Sequence, residues 1–147
     1  MFKNILVPTD GSRLSQRGVK GAVALAKELK ARVFGFYVAP DWDPGVYGEI
    51  VSSRYVSPQQ YRENAKKTAR RVLAAVERAA AAAGVRCECG YALGGYPYQE
   101  ILKAARKHRC DLIVMASHGR RGISRLLLGS ETSKVLAHTS IPVLVIR

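Results

Sequence analysis

Apolar residues along the chain switch repeatedly between a two-residue and a three-to-four-residue period, and those switches predict the elements. Asn4 to Val7 is a short apolar strand closed by Pro8. Ser12 to Lys30 predicts a helix with Leu14, Gly18, Ala22, Leu25 and Leu29 along one stripe and Ser12 as its N-cap. Val33 to Val38 is a second strand. Residues 39–57 fit neither period, because Pro40, Pro44, Gly45 and Gly48 interrupt them. Trp42, Tyr47 and Tyr55 in that stretch are either covers for a site or packing anchors. Ser57-Pro58 opens a long helix reaching Ala83, with Tyr61, Ala65, Thr68, Val72, Val76 and Ala80 facing inward and Gly84 as C-cap. Val85 to Ala92, Asp111 to Ser117 and Pro142 to Ile146 are further strands. Pro97 to Lys107, carrying Ile101, Leu102 and Ala105, and Ser130 to Ala137 are the remaining helices.

Strict alternation of strand and helix predicts right-handed crossovers and one α/β domain spanning residues 1–147. The expected architecture is an open five-stranded, mostly parallel, Rossmann-like sheet with helices on both faces. The first, fourth and last strands are apolar almost throughout, which predicts burial on both sides.

The chemistry is expected at the carboxyl ends of the strands, where ligands bind in open parallel sheets. The fourth strand runs into a loop with Gly119, Gly122 and Gly129, and a helix opens at Ser130. Strand, glycine-rich loop and helix start in that order suit a phosphate, since backbone N–H groups can approach it and the helix start carries partial positive charge. The loop is not a Walker motif: Gly129-Ser130-Glu131 lacks the lysine that would reach terminal phosphates. Ser130 is either a phosphate donor or a simple N-cap. Glu131 competes for the same N–H groups unless its carboxylate points away. At the end of the first strand, Asp10 either accepts from ribose hydroxyls or a base amine, or caps the Asp-Gly-Ser corner it sits in. His118 lies in the loop within reach of a ligand, while His108 and His138 are expected near helix ends at the surface. No Gly-x-Ser-x-Gly elbow and no metal-ligand spacing accompany them.

Composition narrows the partner. The chain has 147 residues, 48% hydrophobic, with 24 Lys and Arg against 11 Asp and Glu for a net charge of +13, a field that attracts anions. Arg62, Lys66, Lys67, Arg70, Arg71 and Arg78 share one helix, and Arg120, Arg121 and Arg125 share the glycine loop. Basic charge is a footprint and not a motif, and no RNA-binding aromatic signature or zinc-finger spacing accompanies it, so nucleic acid is not the expected partner. No apolar run reaches the roughly 18–20 residues of a membrane span, and the N-terminus does not read as a signal peptide, which predicts a cytoplasmic location. Cys87, Cys89 and Cys110 are too few for a disulfide framework and are expected as buried or half-buried fillers.

Ile5-Leu6-Val7-Pro8-Thr9-Asp10-Gly11-Ser12, Val114 to Gly122 with Leu128-Gly129-Ser130, and Ile141 to Ile146 together resemble the universal stress protein family, over nearly the whole length. The ATP-binding branch of that family carries Gly, two residues, Gly, nine residues, then Gly-Ser or Gly-Thr. Here Gly119, the nine-residue gap and Gly129-Ser130 match, and Ala116 stands at the first glycine. The resemblance implies an ATP site in which Asp10 meets the adenosine and Val38 binds adenine through its backbone. Gly119, Gly129 and Ser130 would hold the phosphates, helped by N–H groups of Glu131 and Thr132. Pro8, Thr9, Met115, Ala116, His118, Arg120 and Gly122 would complete the pocket, with Mg2+ or Mn2+ on the phosphates. It also implies that the first and fourth strands lie side by side, and a homodimer formed through Val143, Leu144, Val145 and Ile146 of the last strand. With no loop lysine and no evident general base, hydrolysis is expected to be slow or absent. Three other readings stay open: a nucleotide-free protein acting through protein contacts, an ATPase or phosphotransferase with Ser130 or Thr132 as acceptor, and nucleic-acid binding through the basic helix, whose affinity would fall steeply with salt.

Overall fold

The computed structural model describes residues 1–42, 56–117 and 128–147. Its elements are β1 (Asn4–Pro8), α1 (Arg13–Leu29), β2 (Arg32–Ala39), α2 (Pro58–Ala83), β3 (Cys87–Leu93), α3 (Pro97–Lys107), β4 (Leu112–Ala116), α4 (Ser130–His138) and β5 (Val143–Ile146). The strands form one parallel sheet in the order β3-β2-β1-β4-β5. The chain winds outward from β1 to β2 and β3, then returns to the other side of β1 as β4. β1 and β4 are therefore neighbours, in register Ile5 with Leu112 and Leu6 with Ile113, at the point where strand order reverses.

Side-chain alternation divides the core between the two faces. Ile5, Val7, Val33 and Val114 pack under α1 and α2 with Val19, Ala22, Val76 and Ala80. Leu6, Phe34, Ile113 and Met115 pack under α3 and α4 with Ile101, Leu102, Ala105 and Val135. Ile5, Leu6, Val7, Ile113 and Val114 are fully or almost fully buried, as strands covered on both faces require.

The helices begin and end where local chemistry predicts. Ser12 caps α1 by accepting the Ser15 N–H at 3.1 Å. Ser57 and Gln60 form a reciprocal capping box on α2, with Pro58 in the first turn. Gly84 closes α2 in the left-handed region at φ 70°.

The structure corrects three expectations. The buried stripe of α1 is Ser15, Gly18, Val19, Ala22, Val23 and Ala26, leaving Leu14 exposed and Leu25 and Leu29 half-buried. Ser15 takes the first inward position because its hydroxyl meets that of buried Thr9 at 3.0 Å. Second, β5 is apolar but is not covered like β1 and β4. It is an edge strand, and Leu144 is exposed. Third, the N-cap of α4 is Gly129, not Ser130. Among the described residues, no helix is long and apolar enough to cross a membrane.

Candidate functional site at the β1–β4 switch point

Two turns meet the carboxyl edge of the sheet at the reversal point. The first leaves β1. Thr9 is buried, donates its N–H to the carbonyl of Phe36 at 2.9 Å, and takes the Gly11 N–H on its hydroxyl at 3.2 Å. Asp10 is half-buried, and its Oδ1 accepts the Ser12 N–H at 2.9 Å. That bond is the corner-capping role open to an Asp-Gly-Ser turn, and it fixes the carboxylate at the end of β1. Gly11 sits at φ 79°, and a Cβ there would meet Val72 Cγ2 at 3.0 Å, so both backbone and packing require glycine.

The second turn leaves β4. Ser117 donates its N–H to Ile146 at 2.8 Å, and its own carbonyl takes the Gly129 N–H at 2.6 Å. The chain thus returns to its point of departure before α4 begins. Thr132, one turn into α4, is buried and donates its hydroxyl to the carbonyl of Ala116 at 3.1 Å. These two bonds pin the first turn of α4 against the end of β4. Among the described residues no side chain caps that first turn: Gly129 has none, and Ser130 is exposed. The N–H groups that open α4 therefore form a small anion-attracting end.

Glu131 does not occupy it. Its Oε2 accepts the Tyr98 N–H at 2.9 Å, and its Oε1 pairs with Lys134 at 3.1 Å. α3 needs this acceptor. Its own N-cap is Tyr96, which caps nothing with its side chain, and Pro97 has no N–H, so Tyr98 carries the first donor of the helix. The carboxylate that competed for the phosphate position is spent on the neighbouring helix.

α1 reaches the same edge. A Cβ on Gly18 would meet the Ala116 nitrogen at 3.0 Å and the Met115 carbonyl carbon at 3.5 Å, so α1 lies directly on the backbone at the end of β4. Val38 is half-buried near the end of β2. Beyond it the edge is tied to β3: Gly94 donates to Ala39 at 3.0 Å, and Gly95 donates to Asp41 Oδ1 at 2.9 Å. A Cβ on Gly94, at φ 86°, would run into the Asp41 carboxylate. Sequence reasoning missed Ser15 and Asp41, and it missed the bond from Tyr98 to Glu131. The signal for the last was a helix opening at Tyr96-Pro97 with no capping side chain.

Of the residues expected at the site, Pro8, Thr9, Asp10, Met115, Ala116, Gly129, Ser130, Glu131 and Thr132 lie on the adjoining ends of β1 and β4 and in the first turn of α4. Val38 lies one strand away, on β2. His118, Gly119, Arg120 and Gly122, with Tyr47, Tyr55, Arg121 and Arg125, fall outside the described residues. The other histidines stand apart. His138 is exposed at the end of α4, and His108 is half-buried, stacked on Phe34 with ring centroids 3.8 Å apart. Among the described residues, no group of three or more His, Cys, Asp or Glu could hold a metal ion.

A parallel doubly wound sheet with paired turns at its switch point defines a class of small α/β domains that take ligands across that edge. The family model for the universal stress protein family matches residues 1–147, and the chain belongs to that family. It is 34% identical over 147 residues to the universal stress protein MJ0531 of Methanocaldococcus jannaschii, covering 100% of this chain and 83% of that one. It is 33% identical to the universal stress protein YxiE of Bacillus subtilis, covering 100% of both. Among solved structures, the protein MJ0577 superposes with a TM-score of 0.81 at 26% identity, covering 99% of this chain and 96% of that one.

Proposed function

We propose that this universal stress protein binds an adenine nucleotide, ATP with Mg2+ or Mn2+, across the β1–β4 edge and acts as a homodimeric regulatory module. The observation that carries the reading is the first turn of α4, which no side chain among the described residues caps, pinned to Ser117 and Ala116 while Glu131 is drawn off to Tyr98. A phosphate would take the place of the missing cap, with Ser130 adding a hydroxyl. Asp10 and the backbone of Val38 supply hydrogen-bonding groups for the nucleoside on the other side of the crevice. Divalent metal would be held chiefly by phosphate oxygens and water, as Mg2+ is with few protein ligands. Turnover is expected to be slow or absent, since nothing in the motif supplies the lysine of a Walker loop. The outer edge of β5, unpaired among the described residues and with Leu144 exposed, is the surface through which two copies would join.

The test is to identify any nucleotide that accompanies the purified protein by mass spectrometry, and to titrate the nucleotide-free protein with ATP in a calorimeter. Binding by the wild type, lost in Gly129→Val with the fold intact by circular dichroism, supports the site. Absence of both bound nucleotide and calorimetric heat overturns it in favour of a role through protein contacts. Incubation with labelled ATP reads hydrolysis or a stable label on Ser130 or Thr132, and sedimentation of wild type against Leu144→Lys reads the dimer.

A further inference from the structure

The sheet separates the helices by charge as well as by position. α1 and α2 pack side by side on one face. Their outer surfaces carry Arg13, Arg17, Lys20 and Lys27 on α1, and Arg62, Lys66, Lys67, Arg70, Arg71 and Arg78 on α2, all exposed. The acids on these two helices are Glu28, Glu63 and Glu77. None of these cations forms an ion pair among the described residues. The opposite layer is different: on α3 and α4, Lys103 pairs with Glu100 and Lys134 with Glu131. At the amino end of the sheet the basic layer runs into a groove of about 470 Å³ whose charged lining is Lys3, Lys27, Lys30, Arg32 and Arg86, of which Arg32 pairs with Glu88 at 3.9 Å. This groove lies at the end of the strands remote from the β1–β4 ligand edge.

We propose that the α1–α2 layer and its terminal groove form a docking surface for the phosphate backbone of duplex nucleic acid. Unpaired exposed cations at this density repel one another, and a polyanion relieves that repulsion while releasing its own counterions. α2, at 26 residues, extends about 39 Å, so its cations can follow several successive phosphates. Arginine is well represented in the layer, and its planar fork suits phosphate oxygens. The surface lacks what other polyanions would need. Single strands are held on stacked aromatic side chains, and no exposed aromatic lies on α1 or α2, where the one tyrosine, Tyr61, is buried. An acidic membrane takes up an amphipathic helix through a row of large apolar residues, and here Leu14 is the one large apolar side chain standing exposed. Contacts led by lysine and arginine to phosphate oxygens carry no sequence information, so binding would show little sequence preference.

The test uses the full chain and a short fluorescent DNA duplex of random sequence, titrated by anisotropy at rising salt. At about 50 mM salt the wild type should bind, and log K should fall linearly with log salt with a slope of several units. Replacing Lys66, Lys67, Arg70 and Arg71 together by glutamine changes exposed positions, so the fold should persist by circular dichroism. That variant should lose about tenfold or more in affinity and flatten the slope by about two units or more. A second variant, Lys3→Gln with Lys27→Gln and Lys30→Gln, should weaken binding through the groove. A control on the opposite layer, Lys103→Gln with Arg106→Gln and Lys107→Gln, should leave affinity nearly unchanged. The proposal is overturned by absence of duplex binding at low salt or by equal loss in the control. Tighter binding to phosphatidylserine vesicles than to duplex overturns it as well. Gly129→Val should bind duplex normally, which separates this surface from the nucleotide edge.

Discussion

The carboxylate of Glu131 accepts the N–H of Tyr98 at 2.9 Å and so caps a helix other than its own. Glu131→Ala should remove the acceptor for the first donor of α3 together with the partner of Lys134. Helix-cap losses cost about 1 kcal/mol, within a range of 0.5–2. Urea unfolding should show a loss of that order, and Glu131→Gln, which keeps an acceptor, should recover most of it. Because the side chain points away from the first turn of α4, ATP affinity should not rise in the alanine variant. A marked gain would place the carboxylate at the phosphates after all.

Thr132 tests the joint between α4 and β4. Its buried hydroxyl donates to Ala116, so Thr132→Val leaves that carbonyl without this donor at nearly constant volume. The expected cost is about 1–3 kcal/mol, and Thr132→Ser should largely restore stability. The bond also fixes where the first turn of α4 stands, so nucleotide affinity should fall in the valine variant and return in the serine one. Under labelled ATP, exposed Ser130 and buried Thr132 are the two hydroxyls whose labelling is to be compared.

What could be read from sequence is divided by range. Helix limits at Ser12, Ser57 and Gly84 were legible because a cap is a local event, decided within about one turn. Strands β1 and β4 were legible from their unbroken apolar runs. Strand order was not, because residue periods carry no information on which strand lies beside which; it came only with the family resemblance. The bond from Tyr98 to Glu131 spans 33 positions and has no local pattern. The buried stripe of α1 was misphased for a related reason: Ser15 points inward to a hydroxyl partner, and a count of apolar residues passes over a polar pair that is mutually satisfied.

Gly18 should not tolerate a methyl group. In an open helix Gly→Ala gains about 1 kcal/mol from propensity. Here the new Cβ would press on the Ala116 nitrogen at 3.0 Å, and backbone at the end of a central strand cannot swing aside. Overpacking of this kind costs about 1–3 kcal/mol, so the net change should be destabilising. Thermal unfolding of Gly18→Ala checks the sign, and a more stable variant would show that α1 is free to lift from β4.

The thiols of Cys87 and Cys89 lie 3.9 Å apart on β3 and titrate as a pair. The Cys89 thiol, hydrogen-bonded to Cys87, holds the Cys87 pKa below its ordinary value, and the same bond pushes Cys89 up. Near pH 8, iodoacetamide should therefore label Cys87 well ahead of Cys89, since the thiolate is the nucleophile. Cys89→Ala, which removes the hydrogen-bond partner, should slow labelling of Cys87, whereas Cys89→Ser should slow it less. Peptide mapping by mass spectrometry reads the order directly.

Cys110 predicts the alkaline behaviour of the fold. It is buried in the layer under α3 and α4, where burial first and the Asp111 carboxylate second push its pKa up to about 11, against a smaller opposing effect of Arg32. The unfolded chain ionises this thiol nearer its ordinary value of 9.0. Between these two values the unfolded state has lost a proton that the folded state keeps. Stability from this group is thus complete below about pH 9 and drains away as pH climbs towards 11. A difference of two pKa units corresponds to about 3 kcal/mol as an upper figure. Cys110→Ala removes that dependence while leaving all other groups in place. The gap in unfolding free energy between wild type and variant should therefore narrow as pH rises from 9 to 11. Parallel pH profiles for the two proteins would mean that Cys110 is not protected from ionisation in the folded state.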